Sequence, residues 1–151
     1  MTEETQTSSD EAHHKFSIQR IYTKDISFET PNTPEIFQTE WRPQVDINLK
    51  TDHKKLSDTI YEVVLQLTVT AKLQDKMAFL VEIKQAGIFM LKEFTDEQLG
   101  SMFGSFCPNI LFPYARELIS ETISRGSFPP LYLAPINFDA FYQEQLKQKN
   151  N

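Results

Sequence analysis

Between Tyr61 and Ala71 the chain alternates apolar and polar residues, with Val64 alone out of step. Tyr61, Val63, Leu65, Leu67, Val69 and Ala71 fall on one side, and Glu62, Gln66, Thr68 and Thr70 on the other. A period of two matches the strand repeat, whereas a helix would spread the same residues around its circumference. Such clean alternation marks a strand buried on one face, the habit of antiparallel sheets. Three other segments repeat it. In the first, Phe16, Ile18, Tyr22, Ile26 and Phe28 oppose Ser17, Gln19, Thr23, Asp25, Ser27 and Glu29, with Ile21 as the exception. Arg20 and Lys24 interrupt its apolar row, which points to a twist or bulge. The second is short, with Val45, Ile47 and Leu49 against Asp46, Asn48 and Lys50. In the last, Phe79, Val81 and Ile83 oppose Leu80, Glu82 and Lys84, after a polar turn at residues 74–76.

The first two strands are joined by residues 30–43, where Pro31, Pro34 and Pro43 exclude a continuous strand and Ile36, Phe37 and Trp41 supply apolar side chains. Beyond Leu91 the period changes. Thr95 to Gln98 has the capping-box pattern of a short helix. Asn109 is placed to cap a longer one, with Leu111, Ala115 and Leu118 on one stripe beside Phe112, Ile119 and Ile123, and Pro113 in the first turn. Gly126 ends it, and Pro129 and Pro130 prevent continuation. A last helix runs from Asn137 with Phe138, Phe141, Tyr142 and Leu146 along one face. Strands followed by helices make an α+β fold. The polar, acidic residues 1–14 are expected as a disordered tail without a signal peptide, residues 15–146 as one domain, and 147–151 as a second disordered tail.

Chemistry is sparse. A net charge of −6 disfavours nucleic acid and anionic membrane as partners. No stretch reaches the roughly 18 consecutive apolar residues of a membrane span. The single cysteine, Cys107, lies in an apolar context that suits a buried inert thiol, and its lack of a partner suits a reducing, cytoplasmic compartment. His13, His14 and His53 have no ligand partners at metal-binding spacing. There is no phosphate loop and no nucleophile–base pair, so neither an enzyme nor a cofactor is expected.

Two features remain. If the strands share a sheet, Asp25, Glu29, Asp46, Glu62 and Glu82 project from its polar face against Lys50 and Lys84. An acidic face serves either as plain solvated surface or as a dock for a basic partner, with Leu80 as an apolar contact inside a charged rim. The second is an aromatic surplus of twelve Phe, five Tyr and one Trp. Phe37 and Trp41 either close the end of the core or line a groove for apolar peptide.

Several long blocks resemble the bacterial SecB family of export chaperones: Ile18 to Glu29, Cys107 to Glu117, Ser124 to Gly126, Phe128-Pro129, Leu133 to Pro135, and Asn137 to Ala140. The similarity spans roughly Phe16 to Leu146. It implies a four-stranded antiparallel sheet with helices packed on one face, assembled as a homotetramer, a dimer of dimers with helices between two sheet layers. The aliphatic rows are then expected to bury beneath helices of a neighbouring protomer. It implies an ATP-independent holdase that binds unfolded presecretory precursors and delivers them to SecA, whose zinc-bearing C-terminal tail docks on the sheet. By match of strand blocks, SecA contacts fall on Asp25, Glu29, Leu80 and Glu82, and tetramer-stabilising positions on Val81, Ile83 and Gln85. The expected groove residues are Phe37 and Trp41, then Phe112, Phe141 and Tyr142. The short basic end, Lys147 to Asn151, departs from the acidic extension of many relatives and puts a secondary SecA contact there in doubt. Alternatives are an acidic adaptor without holdase activity, a small hydrolase, and a SecB-like chaperone devoted to a toxin–antitoxin pair.

Overall fold

The computed structural model describes residues 14–149. Four strands, β1 (Lys15–Glu29), β2 (Gln44–Lys55), β3 (Ile60–Leu73) and β4 (Lys76–Lys92), form one antiparallel sheet in the order β1-β4-β3-β2. Three consecutive strands joined by hairpins, with the first returned beside the last, make a Greek key. That order explains the long connection: residues 30–43 must carry the chain from one sheet edge to the other, three strand spacings or ~14 Å. A 3-10 turn, Glu35–Gln38, and the buried Ile36 seat this connection over one end of the sheet. The β3–β4 hairpin turns through Gln74 and Asp75, both at positive φ, as a two-residue loop compatible with strand twist requires.

β2 is longer than the short segment expected from its alternation. Residues 51–55 are too polar to read as half-buried, but they pair with β3 through to Lys55↔Tyr61. β1 carries two register shifts, between Ile18 and Arg20 and between Thr23 and Asp25. Each exchanges the faces of the residues beyond it.

After the sheet, the capping box at Thr95 is present: Gln98 N–H donates to the Thr95 hydroxyl and the Gln98 side chain accepts from Thr95 N–H. It opens α1 (Asp96–Ser101). Asn109 caps nothing, because a π-helical turn, Met102–Phe106, leads α1 directly into α2 (Cys107–Arg125). The wide turn adjusts the helical register and keeps the backbone hydrogen-bonded, so no new N-terminus exists to cap. Pro113 therefore lies inside a helix rather than in its first turn. Phe103, Cys107, Leu111, Ala115, Ile119 and Ile123, four residues apart, form the buried stripe that lies on β4 and β3.

Gly126 ends α2, yet the left-handed residue there is Ser127 at φ 68°. What Gly126 supplies is room: a Cβ would lie 2.6 Å from the Phe28 ring. α3 follows at Phe138–Lys149, with the Asn137 side chain accepting from Ala140 N–H at its start. The helix continues three residues into the segment expected as a tail, since Lys147 and Lys149 in its last turn suit the helix dipole. Residues 1–13, 150 and 151, where the rest of the tails was expected, lie outside the described residues.

Candidate functional site

The helices cover one face of the sheet. Val63, Leu65, Leu67, Val69, Val81, Ile83 and Phe89 are fully buried beneath them. Val81, Ile83 and Gln85 are all buried on this face, and the helix above them is the chain's own α2. The expected cover by a neighbouring protomer is thus corrected: the chain's own α2 covers these residues. Gln85 accepts a hydrogen bond from Thr23 Oγ1 at 3.0 Å. Thr23 had been expected on the opposite side; the bulges turn Ile21 and Thr23 toward the helices and bring Tyr22 to the open face. Apolar side chains at the margins of the helix layer remain uncovered, Ile18, Ile26, Phe106 and Tyr114 among them.

The opposite face is open and ordered by register into cross-strand rows. The first row runs Asp46, Thr70, Leu80 and Glu29, and the second Asn48, Thr68, Glu82 and Ser27. The third runs Lys50, Gln66, Lys84 and Asp25; Tyr22 and Asp52 belong to the fourth, and Lys54, Glu62 and Arg20 to the fifth. Asp25, Glu29, Leu80 and Glu82 therefore do share one side of the sheet, within three successive rows of β1 and β4. Asp25 and Glu29 are exposed, and Leu80 and Glu82 half-buried. Gln66 Nε2 donates to Glu82 Oε1 and fixes that carboxylate on the sheet surface.

The face is expected from the sequence to be acidic, but it is only partly so. Bulging brings Arg20 and Lys24 onto it, and the longer β2 adds Asp52 and Lys54. The charged residues of the first two rows are all carboxylates, whereas Lys50 and Lys84 stand in the third with Asp25, Asp52 in the fourth, and Lys54 and Arg20 in the fifth, with Lys24 at the β1 bulge. Glu62 stands among them, accepting from the Tyr22 hydroxyl and from Lys24 Nζ at 2.9 Å. Burial alone would raise the Glu62 carboxyl, but the hydrogen bonds from Tyr22 and Lys24 and the charges of Lys24 and Lys54 outweigh it and hold the group below its ordinary value. Tyr22 moves the other way, to about 12, through burial first and then the Glu62 hydrogen bond and charge.

The expected groove aromatics divide between two places. Phe37 and Trp41 gather at the end of the sheet around Phe128, at ring separations of 5.2 and 5.7 Å, and Trp41 also stacks 6.4 Å from Phe79. Phe37 stays 49% exposed, so this cluster closes the core and still presents an apolar surface. Phe112 is buried edge-on against Phe138 at 5.8 Å, with Arg116 over its ring. Tyr142 fills the space left by Gly100 and Gly104, and Phe141 is half-buried on the same helix. Phe79 and Phe128 were not among the expected groove residues; nothing in the local pattern pairs Phe128 with Trp41 across 87 positions. The Ser105 hydroxyl donates to Asp139 and ties α3 to the π-helical turn. Burial pushes the Cys107 thiol up to about 12, so it is a protonated packing residue at neutral pH. His53 stacks on Phe103 at 4.1 Å.

Comparison with known proteins adds lineage to this geometry. The family described as Preprotein translocase subunit SecB matches residues 9–149. A "Protein-export protein SecB" of Marinobacter nauticus is 54% identical over 151 residues, covering 99% of this chain and 92% of its own. Those of Nitrosococcus oceani and Hahella chejuensis are 53% and 57% identical, covering 97% and 89% of this chain and 90% and 84% of theirs. Among solved structures, a SecB-like chaperone of Mycobacterium tuberculosis in complex with an antitoxin peptide superposes with a TM-score of 0.68 at 17% identity, over 83% of this chain and 92% of that one. At that identity the likeness concerns the fold.

Proposed function

The chain belongs to the SecB family, and from that premise we propose how its surfaces divide the work of a protein-export chaperone. It is a chaperone and not an enzyme. Client segments are held as unfolded presecretory chains, in extended form, on apolar surface that includes Phe37 and Trp41, by side-chain burial and without ATP. Because such a holder binds the unfolded chain, it delays folding by mass action. Several weak grips on one homotetramer add up to retention. Its tetramer is built across the uncovered margins of the helix layer, with Val81, Ile83 and Gln85 supporting α2 from beneath. The acidic rows of the open face dock the SecA motor through its basic, zinc-bearing C-terminal tail. The setting is the cytoplasm.

One observation carries the docking assignment: Asp25, Glu29, Leu80 and Glu82 lie on adjacent strands of the same uncovered face. Three carboxylates around a half-buried leucine suit a basic segment with an apolar anchor. Glu29→Lys and Glu82→Lys are each expected to weaken SecA binding by about tenfold or more. Both variants should retain capture of a reduced, slowly folding precursor. Equal loss of the two activities in calorimetry and refolding assays refutes the division of labour. Phe37→Ala and Trp41→Ala are expected to weaken client capture several-fold. Phe37 is the cleaner probe because it contributes less to the core, and wild-type client affinity in both variants removes this cluster from the groove.

A further inference from the structure

Past the acidic rows, the open face holds a depression of about 260 Å³ whose lining includes Lys24, Lys50, Lys54 and Lys84, with Asp52 from β2 and Glu62 and Val64 from β3 between them. Three strands contribute these lysines. Lys24 is engaged by Glu62, whereas Lys50, Lys54 and Lys84 make no ion pair among the described residues. Even Asp25, directly opposite Lys84 in register, lies outside ion-pair distance of it. Four lysines against the two carboxylates of Asp52 and Glu62 leave this concavity net positive, opposite in sign to a chain of net charge −6. Glu62, held by Tyr22 and Lys24, offsets only part of this potential.

We propose that this pocket seats the acidic side chains of an extended polypeptide segment whose basic residues occupy the acidic rows. The face then reads the order of charges along a partner, and so its direction. This rests on the assignment of the acidic rows as a docking surface. Geometry supports one continuous segment: along β3, Thr68 beside Glu82 is two residues from Gln66, which lies between Lys50 and Lys84, and six from Glu62 beside Lys54, ~7 to ~20 Å of extended chain. A strand-like peptide laid parallel to β3 places residues two to six positions apart over the two sites. Lysines on flexible stems over the Val64 side chain suit separate carboxylates, which need single charged donors rather than a planar fork. A nucleic acid or other polyanion is disfavoured, because Asp46, Glu29 and Glu82 would repel its continuation along the same face.

The test uses the full-length chaperone and two synthetic peptides in calorimetry. One has a basic block followed by an acidic block that spans the second to sixth residues beyond it; in the other the acidic residues are replaced by glutamine. Wild type is expected to bind the first about tenfold more tightly at low salt, and the Lys50→Glu/Lys84→Glu double variant to lose that preference while still binding the second. Retained client capture by the double variant reports that it is folded. Equal affinities in wild type, or a preference that survives the double reversal, overturn the proposal. Glu82→Lys separates the two layers. If it weakens both peptides while the lysine reversal changes nothing, only the pocket assignment fails. If it weakens neither, the docking surface fails as well. Tight binding of inorganic phosphate alone, or salt-sensitive self-association abolished by the double reversal, assigns the pocket to a small anion or a second copy and equally overturns it.

Discussion

Glu82 and Ile83 are consecutive in β4, but they belong to surfaces with different physics. Ile83 is fully buried beneath α2, where its value comes from fitting fixed neighbours. Glu82 looks outward, and only a hydrogen bond from Gln66 constrains it. On the covered face, shape decides what is tolerated; on the open face, charge and its placement decide what can be bound. The same strand thus carries stability and recognition on alternate residues, and a change to one can leave the other intact.

The sharpest way to break this contrast is substitution at the paired positions. Ile83→Ala is expected to lower unfolding free energy by about 2–4 kcal/mol in urea titrations, through lost burial and the cavity left behind. Glu82→Gln, one residue away, should stay within about 0.5 kcal/mol, as surface changes do. Comparable losses at both sites would erase the distinction between the faces. Next in size is Gly126→Ala at the margin, where the added methyl meets the Phe28 ring and either that ring or the end of α2 must move. A cost of about 1–3 kcal/mol is expected from such overpacking. An unchanged melting midpoint would mean the contact yields freely.

The smallest effect tests whether the open face contributes any stability of its own. Tyr22→Phe removes the hydroxyl that donates to Glu62 and should cost about 1 kcal/mol at neutral pH. Because the folded-state Glu62 carboxyl is held below its ordinary value, its contribution is present above the ordinary carboxylate range and fades as pH falls through the folded pKa. The gap between wild type and Tyr22→Phe should therefore narrow in acid. A gap that widens there would reverse the sign assigned to this hydrogen bond.

The alternation in β3 and β4 was legible because each residue's face follows from parity alone, and Tyr61 to Ala71 turned out as expected. β1 was only partly so. Arg20 and Lys24 signalled an irregularity, but two bulges in one strand leave the faces of the residues between them undetermined until a partner register is known. Phe112 shows the same limit in the helices. It is among the expected groove residues, whereas its burial against Phe138 depends on where α3 lies.

Strand identity, the turn at Gln74-Asp75, the capping box at Thr95 and the apolar stripe of α2 are local properties, so neighbouring residues in the chain were sufficient to specify them. The lysine pocket, the Trp41–Phe79–Phe128 cluster and the division of the open face into acidic and basic rows arise from residues far apart in sequence. Those were decided by cross-strand register and by the course of residues 30–43 over the sheet end. A shift of one residue in pairing would move every side chain of a strand to the other face, and no local pattern encodes that choice for a bulged strand.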